Sequence, residues 1–192
     1  MSECDLSAAA ATMAELIRNL SDDQLTGPTP CPDYSLGDLI DHVGGFAMAF
    51  TWAANKEAPP RGAQGPSGDA SRLTDDWRRR IPADLAELAA AWKQPEAWTG
   101  ITQAGGVDLP GEIAGVVALD ELVIHGWDVA RATGQPYDVE SESLGAVEKF
   151  VQSFSSDGTP GLFGPRVPVP DTAPPLDRVI GMAGRDPNWS PN

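Results

Sequence analysis

This sequence predicts an all-α protein, on three observations. Apolar residues recur every three or four positions in successive stretches, proline and glycine collect between those stretches, and only one short segment reads as strands. Four substantial helices with long connections are expected to pack as a bundle, with a small hairpin and a short C-terminal helix added. At 192 residues the chain is expected to be one domain, long enough to bury a core. Residues 1–157 are expected to form the helical bundle, and residues 158–192 a Pro/Gly-rich extension whose short helix packs on the same domain.

Leu6, Ala9, Met13, Leu16, Ile17 and Leu20 give the first amphipathic stripe. It stops before Pro28, Pro30 and Pro32, whose alternation forbids helix. Ser35 is an N-cap, and Asp38 suits the first turn of a second helix burying Leu36, Leu39, Ile40, Val43, Ala47 and Phe50. His42 lies about 100° from the centre of that stripe. Such a flank position either reaches into a cleft between helices or sits half exposed in water. Residues 57–70 read as a loop. Leu73, Trp77, Ile81, Leu85, Leu88 and Trp92 keep their phase through Pro82, which predicts one helix kinked there. The basic run Arg78-Arg79-Arg80 reads as a solvated face paired with Asp75, Asp76 and Asp84.

Trp98 to Thr102 and Val107 to Leu109, joined by Ala104-Gly105-Gly106, form the expected hairpin. A central helix opens at Glu112 and closes at Gly134, a C′ glycine. Leu144, Val147, Phe150, Val151 and Phe154 give a fifth stripe. Leu176, Val179, Ile180 and Met182 give the short last helix, ending at Gly184, with Trp189 beyond it.

Composition excludes several functions. Lys+Arg 13 against Asp+Glu 28 leaves a net charge of −15, which argues against nonspecific binding to nucleic acid or to anionic membrane. No stretch has transmembrane length and the N-terminus lacks signal-peptide character, so a cytoplasmic protein is expected. Cys4 and Cys31 make no disulfide framework and no Cys-x-x-Cys pair, and both read as free thiols of structural use.

The chemistry concentrates in the central helix. Ile113 to Ala130 is apolar on nearly every face, the signature of a buried helix, yet it carries Glu121, His125 and Asp128 on one side. Glu121 and His125 stand one turn apart, roughly 40° around the axis. A carboxylate and an imidazole so placed on a buried helix form a metal-ligand geometry. The bland alternative is a satisfied polar pair. The chain has one other histidine, so a metal site would need His42 as its third ligand. Two imidazoles and one carboxylate leave a position open on a tetrahedral ion, the pattern of catalytic zinc. Asp128, three residues beyond His125, would orient that ring from behind or accept a proton; the alternative is a structural pair with Arg131 or Arg72.

Thr29-Pro30-Cys31-Pro32-Asp33-Tyr34, Asp41-His42, Asp120 to Asp128, and Arg131-Ala132-Thr133-Gly134 resemble the metal-binding N-terminal domain of mycothiol-dependent maleylpyruvate isomerase. Leu162-Phe163-Gly164-Pro165, Leu176-Asp177-Arg178, Gly184-Arg185-Asp186-Pro187 and Trp189 extend the likeness to a group of single-domain actinobacterial proteins sharing that domain. The resemblance implies a DinB-like four-helix bundle with a divalent metal, usually zinc, held by a histidine of the second helix and a Glu-x-x-x-His pair. By motif these are His42, Glu121 and His125. Many DinB-like relatives use three histidines, which two histidines cannot supply. The full isomerase has a further C-terminal domain, for which the residues after the fifth helix leave no room, so isomerase activity does not come with the fold.

Three functions compete. The first is a metal- and thiol-dependent S-transferase or isomerase, with a small-molecule substrate and a mycothiol-type thiol. An anionic substrate would then need a local arginine clamp, for which Arg72, Arg131 and Arg166 are candidates against their reading as structural ion-pair partners. The second is a non-catalytic metal-binding or ligand-sensing protein, including a homodimeric one. The third is a metal-assisted hydrolase.

Overall fold

Six helices and one two-stranded antiparallel sheet follow one another along the chain, and the computed structural model describes residues 4–63 and 67–191. Helix α1 spans Ser7–Arg18 and α2 spans Leu36–Asn55. The start of α2 is a capping box: Ser35 Oγ accepts from the Asp38 N–H at 3.2 Å, and Asp38 Oδ2 accepts from the Ser35 N–H at 3.1 Å. Lys56 in the left-handed region ends the helix.

Helix α3, Trp77–Ala91, is continuous through Pro82. It begins later than the apolar stripe suggests. Leu73 lies outside it, because the turn Ala70–Arg72 is capped by Asp69 and the chain is extended at Leu73. The basic run splits as its charges dictate: Arg79 pairs with Asp76 and Arg80 with Asp84. Arg78 departs from the expected partners, reaching Asp22 and the Leu20 carbonyl while lying over the Trp77 ring.

Trp98 belongs to a 3-10 turn, Pro95–Trp98, and not to the hairpin. Its indole N–H donates to the Trp92 carbonyl at 2.8 Å, and the Trp92 indole N–H donates to the Phe50 carbonyl at 3.1 Å. Those bonds bury both indoles with their polar atoms satisfied. Strands β1 (Ile101–Ala104) and β2 (Val107–Pro110) pair Ala104 with Val107 around Gly105-Gly106, both at positive φ as a two-residue turn requires. Thr102 Oγ1 donates to the Ala53 carbonyl and ties the hairpin to α2.

Helix α4, Gly111–Thr133, ends at Gly134 with φ 67°. Helix α5 is Ser141–Gln152 and α6 is Pro175–Met182. Phe154, expected in the fifth helix, lies beyond its end and packs edge-to-face with Phe150 and Phe163. Trp189 is partly buried against the core.

Helices α1 and α2 each pack against both α3 and α4, so these four close a ring of neighbours; α5 packs on α4, and α6 on α5. Met13, Ile17, Leu39, Ile40, Val43, Ile81, Leu85, Leu88, Leu119, Leu122 and Val123 meet at its centre with no solvent exposure. Helix α4 is wrapped on most sides, which explains its apolar circumference. No described helix is long and apolar enough to cross a membrane.

Helix α4 approaches the indoles closely at Gly115, where an added Cβ would lie 2.4 Å from the Trp98 ring and 2.8 Å from Trp92. Gly145 in α5 has nothing within 4 Å of an added Cβ. Gly115→Ala should lower stability by about 1–2 kcal/mol, overpacking outweighing the better helix former. Gly145→Ala should raise it by up to about 1 kcal/mol. Urea midpoints of the two variants check both signs.

Candidate metal centre

Helices α2 and α4 bring the two histidines together. His42 Nε2 lies 3.2 Å from Glu121 Oε2, across 79 positions of sequence, and His125 Nε2 lies 3.3 Å from the same oxygen. The imidazole rings stand 4.9 Å apart, nearly perpendicular. His42 is only 8% exposed, so the half-exposed alternative for it does not hold. The cause is its surroundings: Tyr34 and Phe46 pack on the ring at 5.4 and 5.6 Å. The end of the 57–70 loop, from residue 67, also covers it, since a Cβ on Gly68 would meet the Asp38 backbone and the His42 side chain. Glu121 keeps 22% of its side chain exposed and marks the open side of the cluster.

The donor atoms of His42, Glu121 and His125 all lie within 4.8 Å of one another. Around a tetrahedral ion with ligand bonds of about 2.0–2.2 Å, neighbouring donors stand about 3.3–3.6 Å apart. The two nitrogen–oxygen separations of 3.2 and 3.3 Å are close to that edge, and the N/N/O set suits a divalent ion of borderline softness. The residues fit such an ion.

Asp128 stands behind His125. Its Oδ2 lies 2.9 Å from His125 Nδ1 and 3.2 Å from Arg185 Nη2, and the carboxylate has no solvent exposure. With Nδ1 donating to Asp128, Nε2 faces Glu121, as a donor while the ring is protonated and as a lone pair once that proton is lost. Arg131 and Arg72, the partners considered for Asp128 from sequence, are engaged elsewhere. Arg131 donates to the Pro187 carbonyl and lies over the Trp127 ring. Arg72 pairs with Asp41 at 2.6 Å and also contacts the Ser67 carbonyl. Arg166 donates to the carbonyls of Gln152 and Phe154. None of the three is placed in the histidine cluster.

Electrostatics follow from burial and contact. Burial alone would push Glu121 up, but hydrogen bonds and charge from His125 and His42 hold it below the usual carboxylate range. Burial would push His125 down, yet the hydrogen bonds to Asp128 and Glu121 raise it to about 9. Asp120, one residue before Glu121, is pushed well above the usual range by burial and then by the Glu121 charge. Neither cysteine is in a disulfide; Cys4 is partly buried, whereas Cys31 is buried and its sulfur lies within 4.8 Å of donor atoms of His125 and Asp128. Burial pushes the Cys31 thiol up to about 11, so at neutral pH it is a protonated neighbour of the site.

Sequence reasoning missed Arg185, Asp120 and the proximity of Cys31. Arg185 stands 57 residues from Asp128 beyond a Pro/Gly-rich tract, so no periodicity relates them. The one signal was its place just past the last helix in Gly184-Arg185-Asp186-Pro187. Asp120 carried a clearer one, a carboxylate in the middle of an apolar run.

A mostly helical protein with a two-histidine, one-carboxylate cluster between two core helices is the class that this fold and site define. Residues 6–130 match the Mycothiol maleylpyruvate isomerase N-terminal domain family, and the chain belongs to that family. The uncharacterized proteins MT0763 and Rv0738 of Mycobacterium tuberculosis (strains CDC 1551 / Oshkosh and ATCC 25618 / H37Rv) are each 31% identical over 185 residues, covering 92% of this chain and 93% of theirs. The crystal structure of a mycothiol-dependent maleylpyruvate isomerase is similar with a TM-score of 0.58 at 18% identity, over 76% of this chain and 65% of that one. A point mutant of such an isomerase gives 0.59 at 18% identity, over 80% and 69%. These structures share the fold.

The raised His125 fixes a pH dependence. Its folded value of about 9 lies above the unfolded imidazole value of about 6.5. In metal-free protein this contribution to stability is therefore complete below pH ~6.5 and is lost as pH rises through about 9. An ion at the cluster must displace that proton, so its apparent affinity should rise roughly tenfold per pH unit over the same window. Thermal melts from pH 6 to 9 should show Tm falling without metal and the zinc-induced increment growing.

Proposed function

We propose that this protein is a metal- and thiol-dependent enzyme, an S-transferase or an isomerase that works by reversible thiol addition. The metal would be held by His42, Glu121 and His125, with zinc favoured by the mixed N/O donors. The observation that carries this reading is the convergence of both histidines of the chain on one carboxylate, with the open side at Glu121. Membership of a family named for a mycothiol isomerase supplies the class of thiol and of small-molecule substrate.

His42 and His125 offer nitrogens from opposite helices, so the helices hold the donor set before any ion arrives. A divalent ion bound there would lower the proton affinity of a thiol at the open position. Phe46 and Tyr34 wall His42 and exclude water from that flank. Asp128 fixes the His125 ring, and its complete burial favours orienting over direct proton exchange with a substrate. The ring of α1 to α4 is read as a DinB-like four-helix bundle within residues 1–157, and residues 158–192 as an extension of the same domain. The packing of α6 on α5 and the Arg185–Asp128 contact support that division.

Elemental analysis of purified protein should give one divalent ion per chain, lost in His125→Ala. With maleylpyruvate or another conjugated electrophile, product should form only when both metal and mycothiol are present. Turnover by water alone would make the protein a hydrolase. Stoichiometric metal without turnover of any substrate tried would leave the binding protein as the better reading, and no metal would remove the proposal.

A further inference from the structure

We propose that Arg185 is a positioning residue of the metal centre, although it lies far beyond residue 130, where the family match ends. This rests on the reading of His42, Glu121 and His125 as ligands. Asp128 is completely buried, and among the described residues its ion-pair partners are His125 and Arg185. One oxygen, Oδ2, serves both, at 2.9 Å from His125 Nδ1 and 3.2 Å from Arg185 Nη2.

A carboxylate with no exposure needs a countercharge, and the guanidinium supplies it from a separate part of the chain. Arg185 is itself 8% exposed and is held by its own donation to the Ala183 carbonyl at 3.0 Å. The turn carrying it is fastened a second time, where Arg131 of α4 donates to the Pro187 carbonyl at 2.6 Å. Arg185 thus keeps Asp128 aimed, Asp128 keeps the His125 Nδ1–H engaged, and Nε2 is left facing Glu121 at 3.3 Å. Remove the guanidinium and the carboxylate loses its reason to hold that geometry. The ligand ring is then free to turn.

Zinc affinity measured against a chromophoric chelator tests this, with the visible spectrum of the cobalt(II) form as a geometric readout. Arg185→Gln should bind zinc about 10–100-fold more weakly and change the cobalt bands. Arg185→Lys should recover part of the affinity. Arg131→Gln loosens the same turn without touching Asp128 and should bind as wild type. Equal losses in Arg185→Gln and Arg131→Gln would reduce the effect to docking of the segment and overturn the proposal. Wild-type affinity and cobalt spectrum in Arg185→Gln would overturn it while leaving the metal site standing. Wild-type protein that binds no zinc would overturn both. Should Arg185→Gln fail to fold, the Nε–H resonance of Arg185 in wild-type protein decides. It should shift on zinc addition while that of the exposed Arg61 stays; no shift overturns the proposal.

Discussion

The carboxylate of Asp128, wholly removed from water and shared between an imidazole and a guanidinium, is the constraint on which the rest of the interior depends. Helix α4 is buried along most of its length, and a buried helix tolerates charge only where each charge has a partner. Glu121 meets two imidazoles, and Asp128 meets one imidazole and Arg185. Among the described residues Asp120 makes no ion pair, and burial together with the neighbouring Glu121 charge raises its proton affinity. Three carboxylates on one helix thus stand in three different surroundings.

The apolar frame explains how those contacts stay in register. Ser35 and Asp38 cap α2, and the same Asp38 uses its second oxygen to accept from the Ala70 N–H at 2.8 Å. Asp41 does likewise, accepting from the Asp69 N–H and from Arg72. The loop after residue 66 is therefore stitched to the first two turns of α2, next to His42. At the other end of the helix, Thr102 and Lys56 join α2 to the hairpin and to the turn before it. His42 sits between two fastened ends, so its position is a property of the helix as a whole.

Much of this was legible in the sequence, for physical reasons. Helical stripes, the Ser35 cap, the Gly134 stop and the Gly105-Gly106 turn are local signals, and each was readable because the residue type answers a local need. The Glu121/His125 pair was legible because charge on an apolar helix is conspicuous. The errors were of another kind. Leu73 has the right spacing for α3, but a neighbouring cap ends its helix; Trp98 resembles a strand residue but is held by an indole–carbonyl bond. His42 could be placed on a flank but not called buried, since Tyr34, Phe46 and Gly68 reach it from outside its own periodicity. The contact between Arg185 and Asp128 was illegible for the same reason at greater range. A countercharge delivered from another part of the chain leaves no pattern.

The distribution of the site along the chain bears on the order of its assembly during synthesis. His42 belongs to the second helix, Glu121 to Asp128 to the fourth, and Arg185 to the last turn. Chains grow from the N-terminus, and contacts across long sequence separations close late because the intervening loop must first be ordered. Synthesis therefore delivers both imidazoles and Asp128 before the guanidinium that pairs with Asp128. Until Arg185 has emerged and docked, a nascent chain holds an incomplete electrostatic centre around Asp128.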